Sequence, residues 1–140
     1  MNIKPAVFTL CLLGCLIGSP VSAQTSIPDT LVERASRAKV LERSLKIQSN
    51  PAQLRELAMI YAVIAGLDDF KKETVEKAEQ YLAPAVKENP GDFELMATHG
   101  SVLAMKAAFE KSNIRQMMYI KKGTRKMDRA IKKDPDKIGR

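Results

Sequence analysis

Tryptophan is missing from this chain of 140 residues, histidine occurs once, and aromatic residues make up only 5%. Strands and sheet cores draw on aromatic and β-branched side chains, so this scarcity argues against an all-β protein. Glycine and proline number seven each, too few for a collagenous or low-complexity chain. The two cysteines, Cys11 and Cys15, both fall within the first 23 residues. A chain cut after that segment would carry no thiol, which excludes disulfides and thiolate metal sites. No glycine-rich phosphate loop, no HExxH and no EF-hand spacing occurs. The residues therefore point to no catalytic set, no metal and no cofactor.

What is present begins with a leader. Lys4 supplies the charged start, an apolar run extends from Ala6 to Ile17, and Val21-Ser22-Ala23 is a small-residue cleavage site before Gln24. The run is shorter than the ~20 residues a bilayer span needs and ends in Gly18, Ser19 and Pro20. Residues 1–23 are thus expected to be a signal peptide and residues 24–29 a linker, which implies a periplasmic or secreted protein. In the alternative, Leu12-Leu13-Gly14-Cys15 resembles a bacterial lipobox, with Cys15 lipidated.

From residue 30 the pattern is helical. Alanine, leucine, lysine, glutamate and methionine are plentiful, and these straight-chain residues lose little rotamer freedom in a helix. Five apolar-periodic segments follow, and none reads as a strand. Residues 30–48 open on a capping box, Thr30 with Glu33, and place Leu31, Ala35, Ala38, Leu41 and Leu45 on one face. A second segment opens at Asn50-Pro51 and runs to Gly66, and a third covers 70–88 with Pro84 inside it, where a kink is expected. The fourth covers 92–110, and the fifth covers 113–133 with Gln116 completing another box. Met59, Leu82, Leu95, Leu103, Met117, Ile120 and Met127 are the expected core.

Gly66 and Gly100 lie 34 residues apart. From Gly66 the chain reads Ala78, Leu82, Ala85 and Pro90. From Gly100 it reads Gly123, Met127, Ala130 and Pro135, and in both cases the last four positions step by 4, 3 and 5. This resembles the tetratricopeptide repeat, a helix-turn-helix unit of ~34 residues with small residues at its helix crossing and a proline at its exit. The resemblance implies an all-α stack: a half-unit at 30–48, a repeat at 59–92 and a repeat with an insertion at 93–137, together filling residues 30–138. The usual aromatic before the glycine is replaced by Ala62 and Met96. First helices of such units line a groove that binds another protein, and the matching positions are Ile60, Val63, Leu67, Ala97, Ser101, Ala104 and Met105. The competing expectation is that these side chains pack against the half-unit or a second copy. Because an array of repeats needs a cap, the last unit is expected to be covered by a partner, a dimer mate or a continuation of the chain.

Charge is unevenly placed. The chain carries 23 basic and 16 acidic residues, but 24–112 hold 12 basic against 13 acidic while 113–140 hold 10 against three. Lys121, Lys122, Arg125, Lys126, Arg129, Lys132 and Lys133 recur at helical spacing, a basic amphipathic helix suited to an anionic membrane or an acidic protein. A plain solvated face is the alternative. Nucleic acid is the least fitting partner, since no aromatics interleave the charges to stack on bases. His99 lacks a second histidine or a mature thiol for a metal site, and only Ser101 stands near it as a nucleophile, so packing is the expected role. Asp68-Asp69 reads as an interhelical turn rather than a carboxylate pair.

Overall fold

The computed structural model describes residues 30–68 and 71–138. The leader with Cys11, Cys15 and its cleavage site, the linker, and Asp69 lie outside the described residues. The fold is all-α: α1 (Leu31–Ile47), α2 (Pro51–Leu67), α3 (Lys72–Glu88), α4 (Phe93–Ala107), α5 (Asn113–Lys133) and a single turn, α6 (Pro135–Ile138).

Local chemistry sets the helix starts. Thr30 and Glu33 form the reciprocal capping box ahead of α1. Asn50 accepts from the Ala52 and Gln53 amides ahead of α2, with Pro51 where its missing N–H is harmless. Asp92 accepts from the Leu95 amide ahead of α4. At α5 the expected box does not form. Ser112 is the N-cap and makes no side-chain cap bond, while Gln116 Nε2 donates to the Glu110 carbonyl instead. Pro84 leaves α3 continuous from Lys72 to Glu88, and both Pro84 and Gln80, whose carbonyl loses its intrahelical partner, are exposed to water.

Successive helices pack on one another, α2 also touches α4, and α6 touches α4 and α5. The apolar core lies within α1 to α4. Leu41, Leu57, Ile60, Val75, Leu82, Leu95 and Val102 are fully buried in it, with Ala58, Ala65, Ala78 and Ala85 filling the close approaches. Polar ties lock its rim. Arg37 grips Glu56 with two bonds of 2.7 and 3.0 Å across α1 and α2. Glu42 accepts from Tyr61 and Tyr81 at 2.7 and 3.1 Å, and Lys77 Nζ lies 3.0 Å from the same carboxylate. The two tyrosine rings stack with centroids 5.4 Å apart, so α1, α2 and α3 share one clamp. Burial pushes the Glu42 carboxyl up, but the bonds from Tyr61, Lys77 and Tyr81 outweigh it and hold it below its ordinary value.

α5 joins differently. Its buried residues are only Gly123 and Ala130. A Cβ on Gly123 would sit 2.5 Å from the Gly100 carbonyl oxygen, and one on Gly100 would sit 2.6 Å from the Gly123 carbonyl oxygen and 2.8 Å from Met127 Cγ. Each glycine therefore admits the other helix's backbone, a separation no larger residue permits. Ala104 completes the seam, 3.5 Å from the position a Gly123 Cβ would take.

The other glycine behaves otherwise. Gly66 is exposed in the last turn of α2 and a Cβ there would meet nothing within 4 Å, so it does not serve helix packing as the 34-residue spacing predicts. Gly100 lies mid-helix in α4, so the two glycines mark different places on their helices. The recurrence of the elements themselves is longer: the N-caps Asn50 and Asp92 are 42 residues apart, and the N-caps Lys71 and Ser112 are 41. The buried position of α2 that matches Gly100 by distance from its cap is Ala58. Of the other positions expected to pack, Ala78, Leu82, Ala85 and Ala130 are buried and Met127 is half-buried against Gly100, while Pro90 and Pro135 occupy the turns after α3 and α5.

The two glycines make opposite predictions. Gly100→Ala or Gly123→Ala, each forcing α4 and α5 apart, should lower stability by about 1–3 kcal/mol in urea unfolding followed by circular dichroism. Gly66→Ala should leave stability unchanged or raise it by up to about 1 kcal/mol, because alanine is the better helix former and meets no neighbour. Equal losses at all three positions would refute the seam.

Candidate functional site

The seam decides what α5 shows to solvent. Gln116, Gly123 and Ala130, seven residues apart, form its inner line, with half-buried Tyr119, Lys126 and Met127 beside it. With ~100° of rotation per residue, Lys121, Arg125 and Lys132 fall about 160–200° away, on the ridge opposite α4. Lys121, Lys122, Arg125, Arg129, Lys132 and Lys133 are exposed, and Lys126 is half-buried at the edge of the seam. None of the seven takes part in an ion pair among the described residues. Burial, and then Arg129 beside it, push the Lys126 ammonium below its ordinary value. Two shallow clefts of about 340 and 230 Å³ on this face are lined by charged side chains throughout, with Asp128 the one acid among them.

The same helix exposes apolar side chains. Ile114 is 83% exposed and Met117 67%, with Met118, Ile120 and Ile131 open as well. Met117 and Ile120 were expected in the core. They are outside because a glycine seam brings the backbones so close that only a narrow strip of α5 meets α4, and no helix other than α6 packs on its remaining sides. The spacing of Gly123 and Ala130 carries this signal in the sequence, since two small residues seven apart mark the inner line. Ile114 and Met118, which periodicity did not single out, fall about 180° and 140° from it.

The expected groove does not assemble. Ile60 is 0% exposed, because α2 is enclosed by α1, α3 and α4 and buries Leu57 through Ala62 together with Ile64 and Ala65. Ala104 is spent on the α5 seam, Met105 packs on the core, and Val63, Ala97 and Ser101 are half-buried. Leu67 alone of the seven is open, at 59%, in the final turn of α2. Between the C-terminal end of α4 and the first turns of α3 and α5 lies a depression of about 360 Å³. Three of its four cations are taken up locally, Lys106 by Glu79, Lys72 by Glu76 and Arg115 by Glu110, with Lys111 the fourth.

Asp68 caps the C-terminal end of α2, its amide donating to the Ile64 carbonyl and its carboxylate accepting from Lys71 Nζ at 2.8 Å, which is turn chemistry. His99 is 7% exposed and its Nδ1 has no hydrogen-bond partner among the described residues. Ser101, two residues on, points elsewhere on the helix. Among the described residues, no group of three histidines, cysteines or carboxylates could hold a metal, and no helix is long and apolar enough to cross a membrane. No protein-family model, curated protein or solved structure matches the chain.

Burial, reinforced by Lys126 and opposed by Glu79, pushes the His99 imidazole down to about 4. The unfolded chain takes a proton near the ordinary value of 6.5 while the native state refuses it, so stability falls as pH falls through that window. The Glu42 carboxyl is shifted in the same direction, but its contribution is present above 4.5 and is lost only below it. Between pH 6.5 and 4.5 urea midpoints should therefore decline by the equivalent of roughly 2–3 kcal/mol. His99→Gln should flatten that slope, and a slope that persists in the variant would refute the assignment.

Proposed function

We propose that the chain is a non-catalytic binding module, exported by its leader or held through Cys15, whose working surface is the outer face of α5. The observation that carries this is the coincidence on one helix of Ile114, Met117 and Met118, open to solvent, with six exposed cations that form no ion pair among the described residues. Exposed apolar side chains grouped beside an unbalanced charge mark a surface kept for a partner. The tetratricopeptide resemblance adds no support to this reading, because Gly66, on which its 34-residue period rests, does not serve helix packing. It gives no support to a groove on the first helices, because Ile60 is interior. A second copy of the chain is a poor occupant of this face, because two sets of like charge would be opposed.

The test is a photo-activated cross-linking amino acid, able to capture protein or lipid, encoded in place of Met117 and, as a control, in place of Val40 on the outer side of α1, in the intact chain made in its native host. An adduct at position 117 that is absent at 40 is the expected outcome. Equal labelling at both positions, or none, would remove the proposal.

A further inference from the structure

Resting on the assignment of the α5 face as the working surface, we infer that its occupant is an anionic lipid bilayer, on which α5 lies with its cations over the headgroups and its N-terminal tip in the interface. The outermost ridge of the helix reads Ile114, Lys121, Arg125, Lys132, with Met117 and Met118 flanking the isoleucine. Along this ridge the first two turns are apolar and the remaining turns cationic, a division of roughly 10 Å for the seven residues from Ile114 to Lys121, while Arg115 in the first turn is turned toward Glu110 and Asp128 is the one acid among the later cations.

Charge complementarity selects an anionic surface, because the ridge cations stand without ion pairs among the described residues and draw counter-charge. A soluble polyanion would satisfy the cations and leave Ile114, at 83% exposure, in water. An acidic protein could cover both, but it would need pockets and anchors. Protein contacts centre on buried aromatic residues seated in pockets. This face has neither: its clefts are charged throughout, and Tyr119, the one aromatic of α5, is half-buried beneath the Lys106 ammonium at 5.0 Å. A fluid headgroup layer demands no shape match. Unbranched methionines and the long stems of lysine and arginine suit it, the stems lying along the interface with their charged ends among phosphates.

The chain has no tryptophan, so a single introduced indole reports its own surroundings. In the full chain, Met117→Trp should shift its emission to the blue on vesicles of phosphatidylcholine with 30% phosphatidylglycerol, and brominated lipid should quench it. Val40→Trp, on α1, should do neither, which separates docking of α5 from any attachment by the leader. Raising sodium chloride from 50 to 500 mM should weaken the Met117→Trp response at least tenfold, as should replacing Lys121, Arg125 and Lys132 together by glutamine. No shift at position 117, an equal shift at position 40, or an equal response on pure phosphatidylcholine would overturn the inference. A cross-linked protein at position 117 without any vesicle response would overturn it too, while leaving the proposed working surface intact. Absence of both adduct and shift would end both.

Discussion

Where α4 crosses α5, two backbones come into direct contact. Gly100 and Gly123 each place a carbonyl where the other's side chain would be, and α5 is attached to the rest of the fold through that contact, with Ala104, Met127 and Ala130 around it. Helix pairs ordinarily interlock ridges of large side chains over a broad strip. Here the strip is narrow, α5 contributes no large side chain to the buried core, and its isoleucines and methionines are left on the outside. The exposure of its apolar residues is thus the geometric result of a tight crossing and needs no separate cause.

The two ends of the helical stack treat charge in opposite ways. Across α1 to α4, cations at the helix contacts are matched with carboxylates: Arg37 with Glu56, Lys77 with Glu42 under two tyrosine hydroxyls, Lys106 with Glu79. Such partly buried pairs contribute modestly to stability and chiefly fix how the helices sit. On α5 the cations from Lys121 to Lys133 recur at helical spacing with no ion pair among the described residues. A helix that only needed solubility would gain as much from mixed signs, and the fold elsewhere uses them.

Helix existence and most helix starts were legible because they depend on neighbours in sequence: a threonine and a glutamate three apart, an asparagine before a proline, an aspartate before an apolar run. α5 starts at Asn113 as expected, but the capping box read there does not form, and Gln116 Nε2 donates to the Glu110 carbonyl. The glycine period misled for a related reason. Spacing reports that two small residues exist and says nothing of which way each faces, and Gly66 proved to face water while Gly123, first taken as the counterpart of Ala78, proved to be the true mate of Gly100. The face of α5 was legible as a row of cations. Its apolar half was not, since Met117 and Ile120 satisfy a core pattern equally well and only the count of neighbouring helices shows that nothing covers them.

A seam made of main-chain contact separates two kinds of heritable variation. Substitutions along the line of Gly100, Gly123 and Ala130 are barred by lack of room, whereas the outward positions of α5 touch almost nothing and can drift at little cost to folding. The number and placement of cations on this helix can therefore be tuned, lineage by lineage, while the scaffold beneath stays the same.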